Sequence, residues 1–410
     1  MEAYLDNAAT TRALPEVAEL VAKVMTEDYG NPSSLHGKGF TAEKYIRTAA
    51  EQIAATMKVD PGTIVFTSGG TESNNQALIG TALALQRSGK HIITTGFEHA
   101  SVAEPLIYLE KQGFEITFLP VGTDGRVAPE TLKNALREDT ILVSIMMVNN
   151  EIGVVQDIDE LVKVVKDYNP EIRFHTDAIQ AYGKLPVLPK KLGIDLLSVS
   201  GHKLHGPKGT GFLYIKDGNA KLHPYIHGGH QQKNRRSGTE NVPGIAGLGL
   251  AAKMAYEAMA DSAYDEVSDL SRWFISELTQ IEGVIVHGER NTTPGTDVAQ
   301  PTPGTGDAQP TPGAGATYSP YIISVGIEGI KSEVLLHALE DKEIYVSSGS
   351  ACSSNHPGIS DTLTAIGVEK AYLDSTIRFS LSRFTTKDEL TYTLEVLQQL
   401  LPTLRRFTKR

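Results

Sequence analysis

An acid and an amine each follow a predicted strand, and 26 residues separate them. Asp177 ends the sequence Phe174-His-Thr-Asp177 directly after an apolar run, and Lys203 ends Ser200-Gly-His-Lys203 after another. Ligands of an open parallel sheet sit beyond the carboxyl ends of its strands, so both side chains can face one cleft. A lone Asp or Lys is usually a solvated surface charge. The pairing at two strand ends favours a functional site instead.

A third feature, Thr67-Ser-Gly-Gly-Thr71, joins a strand-like run to a helical run and predicts an anion site. Backbone N–H groups at a helix start attract a phosphate, and Gly69 and Gly70 have no side chain to obstruct it. A structural turn explains the pattern equally well, and the Gly-Lys-Ser/Thr ending of a triphosphate loop is absent. Together with Asp177 and Lys203, however, it completes the requirements of a pyridoxal phosphate enzyme: an amine for the Schiff base, an acid for the pyridine nitrogen and a phosphate cradle.

Two more polar groups follow predicted strands. His99 comes shortly after the run His91–Thr95, as either a hydrogen-bonded loop histidine or a ring that stacks on the cofactor and moves protons. Asn149 and Asn150 follow a buried run, where they orient a cofactor oxygen or a substrate carboxylate, or form a plain turn.

The single cysteine, Cys352, lies in a Ser- and Gly-rich stretch without apolar periodicity. Free cysteines are usually buried, but this context favours a reactive thiol, which needs a neighbouring base or cation to be a thiolate at neutral pH. Further on, Arg378 and Arg383 lie in a strand-like alternation. One of them can bind a carboxylate through two parallel hydrogen bonds from its guanidinium, and surface ion pairing is the alternative.

Metal and dinucleotide sites are not expected. His202/His205 and His227/His230 have an i, i+3 spacing, but no HExxH sequence or carboxylate triad accompanies them. The glycines of Gly244–Gly249 have no strand before them and no acidic residue at the usual distance after them.

Composition excludes other classes of protein. The 410 residues are 40% apolar and 21% charged, which excludes a chain that is disordered throughout, and the net charge of −11 argues against a nucleic-acid or anionic-membrane binder. One thiol cannot form an intramolecular disulfide or a CxxC pair. The residues Met1-Glu-Ala-Tyr-Leu-Asp-Asn7 have neither the positive region nor the apolar region of a secretory signal, and the longest apolar run, Ile141–Val148, is far shorter than the roughly 20 residues of a membrane helix. We expect a cytoplasmic protein without membrane contact.

Alternating strand-like and helical segments must position these residues. They predict an α/β unit with a mostly parallel sheet and helices on both faces, and after about residue 255 a smaller α+β domain. We expect residues 14–255 to form the large domain, and 1–13 with 256–410 to form the small one, which carries Cys352. A Pro- and Gly-rich repeat at 293–316 is expected to be a disordered insertion. The predicted strands of the large domain are Thr63–Thr67, His91–Thr95, Glu115–Leu119, Ile141–Val148, Ile172–Thr176, Ile194–Ser200 and Gly211–Ile215.

The motifs resemble those of the NifS/IscS-type cysteine desulfurases, which are fold-type I pyridoxal phosphate enzymes with a seven-stranded sheet in the large domain. The resemblance covers essentially the whole chain except the repeat. Its motifs are Tyr4-Leu-Asp-Asn-Ala-Ala-Thr-Thr11, Gly30-Asn-Pro-Ser-Ser34, Thr67-Ser-Gly-Gly-Thr-Glu-Ser-Asn-Asn75, Val148-Asn-Asn-Glu-Ile-Gly-Val154, His175-Thr-Asp-Ala-Ile-Gln180, Ser200-Gly-His-Lys-Leu-His-Gly-Pro-Lys-Gly209, Arg235-Arg-Ser-Gly-Thr239, Ser348-Gly-Ser-Ala-Cys352 and Ile377-Arg-Phe-Ser380.

The resemblance implies a role for each matched residue. Lys203 holds pyridoxal 5'-phosphate and moves protons at the substrate α-carbon, Asp177 pairs with the pyridinium, and Cys352 attacks the substrate sulfur. His99 stacks on the ring. Gln180 binds the phenolic oxygen, and Asn150 and Arg378 bind the substrate carboxylate. The residues implied to bind the phosphate are Gly70, Thr71, Ser200, His202 and the second subunit's Thr239.

The implied activity converts L-cysteine to L-alanine in a homodimer and leaves a persulfide on Cys352 for an acceptor, either an iron-sulfur scaffold protein or a thiolation enzyme. The alternatives are an aminotransferase, a selenocysteine lyase, an inactive scaffold homologue and a phosphate-binding regulatory module. Three positions depart from the family pattern: Gly70 stands where alanine is common, Ile179 where threonine is common and His205 where an aromatic is usual.

Overall fold

The computed structural model describes residues 1–216, 222–288, 317–348 and 360–408. Cys352 and the 293–316 repeat lie outside the described residues.

The strands and helices follow one another along the whole described chain. The strands are β1 (Ala3–Tyr4), β2 (Ile64–Thr67), β3 (His91–Thr95), β4 (Glu115–Leu119), β5 (Thr140–Ser144), β6 (Arg173–Asp177), β7 (Leu196–Ser200), β8 (Gly211–Ile215), β9 (Val284–Val286), β10 (Ile322–Ile327), β11 (Ile344–Tyr345), β12 (Ser347–Ser348) and β13 (Thr376–Ser380). The helices are α1 (Pro15–Thr26), α2 (Gly37–Met57), α3 (Gly70–Leu85), α4 (Ala100–Lys111), α5 (Pro129–Ala135), α6 (Ile158–Tyr168), α7 (Pro189–Leu192), α8 (Gln231–Asn234), α9 (Val242–Ala260), α10 (Ala263–Leu278), α11 (Ser332–Glu340), α12 (Asp361–Ala365), α13 (Lys370–Leu373) and α14 (Lys387–Thr408).

A seven-stranded sheet in the described part of the chain contains all seven predicted strands of the large domain. Its order is β2-β8-β7-β6-β5-β3-β4. Only β8 runs against its neighbours β2 and β7, and the other pairs are parallel. The prediction of a mostly parallel sheet in an α/β fold is confirmed.

The run Ile141–Val148 shows where sequence and strand boundaries differ. β5 ends at Ser144, although the apolar residues continue. The N–H groups of Ile145 and Met147 still donate to the carbonyls of His175 and Asp177, so the chain stays beside β6 beyond the end of the regular strand. Asn149 therefore follows β5 at the same sheet edge as Asp177.

The helices that flank the sheet form from amphipathic segments with capped ends. In α6, one stripe of residues that includes Leu161 and Val165 is buried, and the Asp157 carboxylate accepts the N–H of Glu160 at the helix start. This combination of apolar periodicity and an acidic N-cap is typical of a helix that packs on a sheet.

A second, antiparallel sheet lies in the C-terminal part, with strand order β12-β13-β10-β9. β1 pairs with β11 in a separate two-stranded sheet, and Asp6 bridges to Ser380, the last residue of β13. The first residues of the chain thus pass from this second sheet to the carboxyl edge of the first. In the residues that the structure describes, no helix is long and apolar enough to cross a membrane.

Candidate active site

One cavity of about 360 Å³ opens at the carboxyl edge of the large sheet. It brings together ten of the predicted site residues, which come from the ends of β6 and β7, the middle of β13, the start of α3 and four connecting segments. They are Gly70, Thr71, His99, Asn150, Asp177, Gln180, Ser200, His202, Lys203 and Arg378.

Lys203 lies in the short turn that follows β7, with its amine directed toward the N-terminal segment. Its Nζ donates to the carbonyls of Ala8, at 2.5 Å, and Ala9, at 2.7 Å. Thr11 secures this segment, because its N–H and its hydroxyl both donate to the carbonyl of His202. The amine is therefore held at the cavity wall by backbone oxygens, which are neutral acceptors.

Asp177, at the end of β6, is a buried carboxylate with two hydrogen-bond donors. Its Oδ1 accepts the N–H of Ile179 at 2.9 Å, and its Oδ2 accepts from the Nδ2 of Asn74 at 2.8 Å. Burial raises the pKa of Asp177, and the two donors and the charges of His99 and Lys203 oppose this rise. A cation or protonated ring nitrogen beside this carboxylate would relieve the cost of its burial.

A hydrogen-bonded chain joins Asp177 to His99. Asn74 also donates from Nδ2 to the hydroxyl of Ser101 at 2.9 Å, and that hydroxyl lies 2.8 Å from Nδ1 of His99. Nδ1 of His99 also accepts the N–H of Ser101 at 3.1 Å, because His99 caps α4. With Nδ1 occupied as an acceptor, the neutral imidazole carries its proton on Nε2.

The predicted anion cradle lies at the start of α3. Gly69 precedes the helix with φ 151° and ψ −174°, a region open essentially to glycine alone. A Cβ on Gly211 of β8 would lie 2.8 Å from the Cα of Gly69, so the two backbones touch. Opposite, Ser200 and His202 line the cavity, and burial lowers the pKa of His202 to about 4. This imidazole is neutral at pH 7.

Arg378 of β13 is buried and joins three segments. Its Nη1 donates to the carbonyl of Asn150 at 2.9 Å, and its Nη2 donates to Oδ1 of Asp6 at 3.0 Å. The same Asp6 oxygen accepts the hydroxyl of Ser347 at 2.8 Å. The Nε of Arg378 is buried without a hydrogen-bond partner in the described structure. A carboxylate ligand can satisfy this donor.

Gln180, which lines the cavity, contacts Lys184, which lies behind it, and both follow β6. The Nε2 of Gln180 donates to the carbonyl of Ala8 at 2.9 Å, and its Oε1 accepts from the amine of Lys184 at 2.9 Å. The carbonyl of Ala8 therefore accepts from both Gln180 and Lys203.

Two predicted residues are not among those that line the cavity. Thr239 is exposed and does not line it. Cys352 lies outside the described residues, but Ser347, five positions before it, lines the cavity.

The analysis of the sequence did not single out several residues that shape the site. Asn74 and Asp6 lie within the quoted motifs, so a more detailed reading of the motifs would have found them. The contribution of Ala8 and Ala9 is a backbone carbonyl each, for which a sequence has no signal. Arg383, the alternative to Arg378, lies outside this cavity.

The donor set fits pyridoxal phosphate. The cavity offers a primary amine, a buried carboxylate with an elevated pKa, and a helix start at Gly70 and Thr71 beside the hydroxyl of Ser200. Among the described residues, no three His, Cys, Asp or Glu side chains gather as metal ligands would.

Comparison with known proteins agrees with this chemistry. The Aminotransferase class-V family matches residues 3–300 and 313–392. The chain is 44% identical over 405 residues to the cysteine desulfurase IscS of Dictyoglomus turgidum, covering 98% of this chain and 95% of that protein. It is 42% identical over 402 residues to the cysteine desulfurase IscS of Methanosarcina thermophila, covering 98% and 92%.

Solved structures show the same fold. A NifS-like protein is 35% identical and superposes with a TM-score of 0.87, covering 98% of this chain and all of that one. A NifS-like protein from Rickettsia africae is 30% identical, with a TM-score of 0.82 at 98% and 100% coverage.

Proposed function

Since this chain belongs to the class-V aminotransferase family and is a cysteine desulfurase, we propose that Lys203, His99 and Cys352 carry out its reaction. L-Cysteine is converted to L-alanine, and the sulfur is left on Cys352 as a persulfide. The observation that supports this division of roles is the convergence of an amine, a buried acid, an imidazole and an arginine on one cavity.

Membership of this family implies pyridoxal phosphate as the cofactor. When bound, this group withdraws electrons from the α-carbon of an attached amino acid. We assign the covalent attachment to Lys203 and the pyridine nitrogen to Asp177. We assign the phenolic oxygen to Gln180 and the ring face to His99, with Asn150 beside the cofactor. We assign the phosphate to five residues: Gly70, Thr71, Ser200, His202 and the second subunit's Thr239.

Lys203 is suited to move a proton at the substrate α-carbon. Its amine donates to the neutral carbonyls of Ala8 and Ala9, which hold it at the cavity wall without removing its proton. Asp177, as a carboxylate, keeps a proton on the ring nitrogen that it faces. His99 presents its Nε2 proton to the substrate side, because Ser101 occupies Nδ1.

Arg378 and Asn150 receive the substrate carboxylate. The guanidinium is already fixed by Asp6 and by the Asn150 carbonyl, so little side-chain entropy is lost when substrate binds. The unpartnered Nε–H is the donor that a carboxylate gains.

Cys352 accepts the sulfur. Its thiolate attacks the sulfur of the substrate, an S–S bond forms and the C–S bond breaks, and the carbon takes up a proton to become the methyl group of alanine. Ser347 lines the cavity, and five residues of chain span at most about 17 Å, so the thiol belongs to a segment that begins at the cavity wall. The persulfide passes from there to an acceptor, an iron-sulfur scaffold protein or a thiolation enzyme.

A homodimer in the cytoplasm is the form that we propose. The exposed position of Thr239 supports a role in the second subunit's site, because within its own chain Thr239 does not line the cavity. The pairing of β1 with β11 supports a small domain made of residues 1–13 and 256–410, with 14–255 as the large domain and 293–316 as an insertion.

Mass spectrometry after exposure to L-cysteine tests the proposal. We expect one added sulfur on Cys352 and one alanine released per sulfur. Cys352→Ala is expected to keep the visible cofactor band but to form neither product. Keto acid in place of alanine would establish an aminotransferase instead, and no cofactor band in either protein would overturn the enzymatic function.

A further inference from the structure

Lys184 is buried without an acidic partner. Only 6% of the residue is exposed, and no carboxylate of the described ranges forms an ion pair with its amine. Lysines are almost never this buried unless a negative charge compensates them, because removing an ammonium from water costs several kcal/mol. An apolar residue of similar length would be more stable here, so its presence requires another explanation.

Its contacts lead into the active site. The amine donates to Oε1 of Gln180, four residues earlier, and lies 5.8 Å from the ring centre of Tyr321. Because Lys184 occupies the Gln180 oxygen, the amide nitrogen of Gln180 faces the carbonyl of Ala8 and the amine of Lys203. Lys184 thereby fixes the orientation of the Gln180 amide, with its nitrogen and not its oxygen toward the cavity.

The charged groups that act on Lys184 are Lys203 and Arg378, and both are positive. His202 and His205 also interact with Lys184, but their imidazoles are neutral at pH 7 because burial lowers the pKa of each to about 4. The carboxylate of Asp177 acts on Lys203 with the opposite sign. Burial first, and then the charges of Lys203 and Arg378, lower the pKa of Lys184 to about 7. Coulombic interaction is reciprocal, so a positive charge on Lys184 also disfavours a positive charge on Lys203.

We propose that Lys184 is a positioning residue of the active site, which fixes the amide of Gln180 and, while it is protonated, disfavours a positive charge on the amine of Lys203. This inference rests on the proposed role of Lys203. An uncharged amine is the form that attacks an aldehyde and accepts a proton, so a buried cation behind it serves both tasks.

The test is the rate at which the apoprotein recombines with pyridoxal phosphate, followed by absorbance as a function of pH. Lys184→Met removes the charge and the hydrogen bond at similar length. We expect its pH–rate curve to shift to higher pH by about one pH unit. Recombination near pH 7 is then about tenfold slower, and it recovers at higher pH. The visible band of the holoenzyme is expected to titrate at a correspondingly higher pH.

Two further variants keep the result interpretable. Lys184→Arg retains the charge and a donor, and we expect its curve to stay near that of the parent. Lys253→Met removes an exposed lysine from α9 and controls for the change in net charge. Should Lys184→Met fail to fold, Lys184→Gln replaces it in the same comparison.

The inference is overturned if the curves of parent and Lys184→Met coincide while the parent still forms alanine and persulfide, or if Lys253→Met shifts the curve equally. A parent that forms neither product overturns the proposed function instead.

Discussion

A Cβ added to Gly70 would lie only 2.1 Å from Cδ1 of Ile179. Real Cβ atoms essentially never approach another heavy atom so closely. These two residues are the positions where the sequence departs from the alanine and threonine common in the family. The longer side chain of Ile179 occupies the space that an alanine methyl at 70 would need, so the two departures form one compensating exchange in the cavity wall.

The exchange predicts strong coupling between substitutions at the two sites. Gly70→Ala alone should lower the free energy of unfolding by about 1–3 kcal/mol through overpacking, and it should weaken cofactor binding. Gly70→Ala with Ile179→Thr should recover most of both, because the shorter side chain vacates the space. Thermal unfolding and cofactor titration of the two single variants and the double variant measure the coupling. Simple additivity would mean that the positions are independent.

The strands were predictable because their signal is local. β3, β4 and β8 have the bounds that were predicted from the sequence. The carboxyl-edge rule then placed Asp177 and Lys203 in one cleft. The pinning of Lys203 by Ala8 and Ala9 was not predictable, since it depends on backbone carbonyls 195 and 194 positions away in sequence.

The burial of Lys184 behind the cavity could not be predicted from the sequence either. Lys184 follows a glycine in a turn, a context typical of a solvated surface lysine. Its burial follows from packing against a ring in the second half of the chain, Tyr321, which no local pattern contains.

Asp177→Asn should preserve the shape of the site but remove its negative charge. The hydrogen bond from Ile179 survives in this variant, whereas the Asn74 amide has to reorient. We expect cofactor to bind and the rate of alanine formation to fall by about 100-fold or more, because a neutral amide does not keep the ring nitrogen protonated. Single-turnover assays with L-cysteine measure the fall. Undiminished turnover in Asp177→Asn would remove this carboxylate from the mechanism.

Asp6→Asn tests the fixing of Arg378. The substitution keeps an acceptor oxygen for Ser347 but removes the charge that holds the guanidinium. We expect KM for L-cysteine to rise about tenfold with a smaller change in kcat, since the lost interaction positions the group that binds the substrate carboxylate. Steady-state kinetics measures both constants. A change in kcat alone would contradict a role in substrate binding.

Glu98 should make the stability depend on pH in the direction opposite to a typical carboxylate. Burial raises its pKa from 4.5 to about 8, although Thr95 and Met146 donate to its Oε1. The folded protein thus holds a proton that the unfolded chain releases above pH 4.5, so the contribution of Glu98 to stability falls as the pH rises to about 8 and is constant above it. Glu98→Gln has no such proton.

Denaturant unfolding of parent and Glu98→Gln between pH 5 and 9 measures the difference. The free energy of unfolding of the parent should decline relative to the variant by up to roughly 1.4 kcal/mol per pH unit below pH 8. Parallel curves for the two proteins would show that Glu98 is ionised throughout.

Glu151 fastens the chain that follows Cys352 to the substrate site. The hydroxyl of Ser360 accepts the N–H of Leu363 as the cap of α12, so its own proton is donated to Oε2 of Glu151 at 2.5 Å. Thr362 donates to the other carboxylate oxygen at 3.2 Å. Glu151 directly follows Asn150, whose carbonyl accepts from Arg378, so this anchor lies next to the loop residue that Arg378 contacts.

Glu151→Ala should therefore slow the formation of persulfide on Cys352 by about tenfold, because it removes the anchor of the residues that follow Cys352 in the sequence. The cofactor band and KM should change little, because Arg378 stays in place. Burial raises the pKa of Glu151, so protonation should weaken the anchor in the parent as the pH falls through that raised pKa, and Glu151→Gln should lack this step. Rapid quenching and mass spectrometry measure the rate. Thr364→Ala, in the same helix but bonded to the Ser360 carbonyl, is the control and should match the parent. Equal rates in Glu151→Ala and Thr364→Ala would show that the carboxylate does not position Cys352.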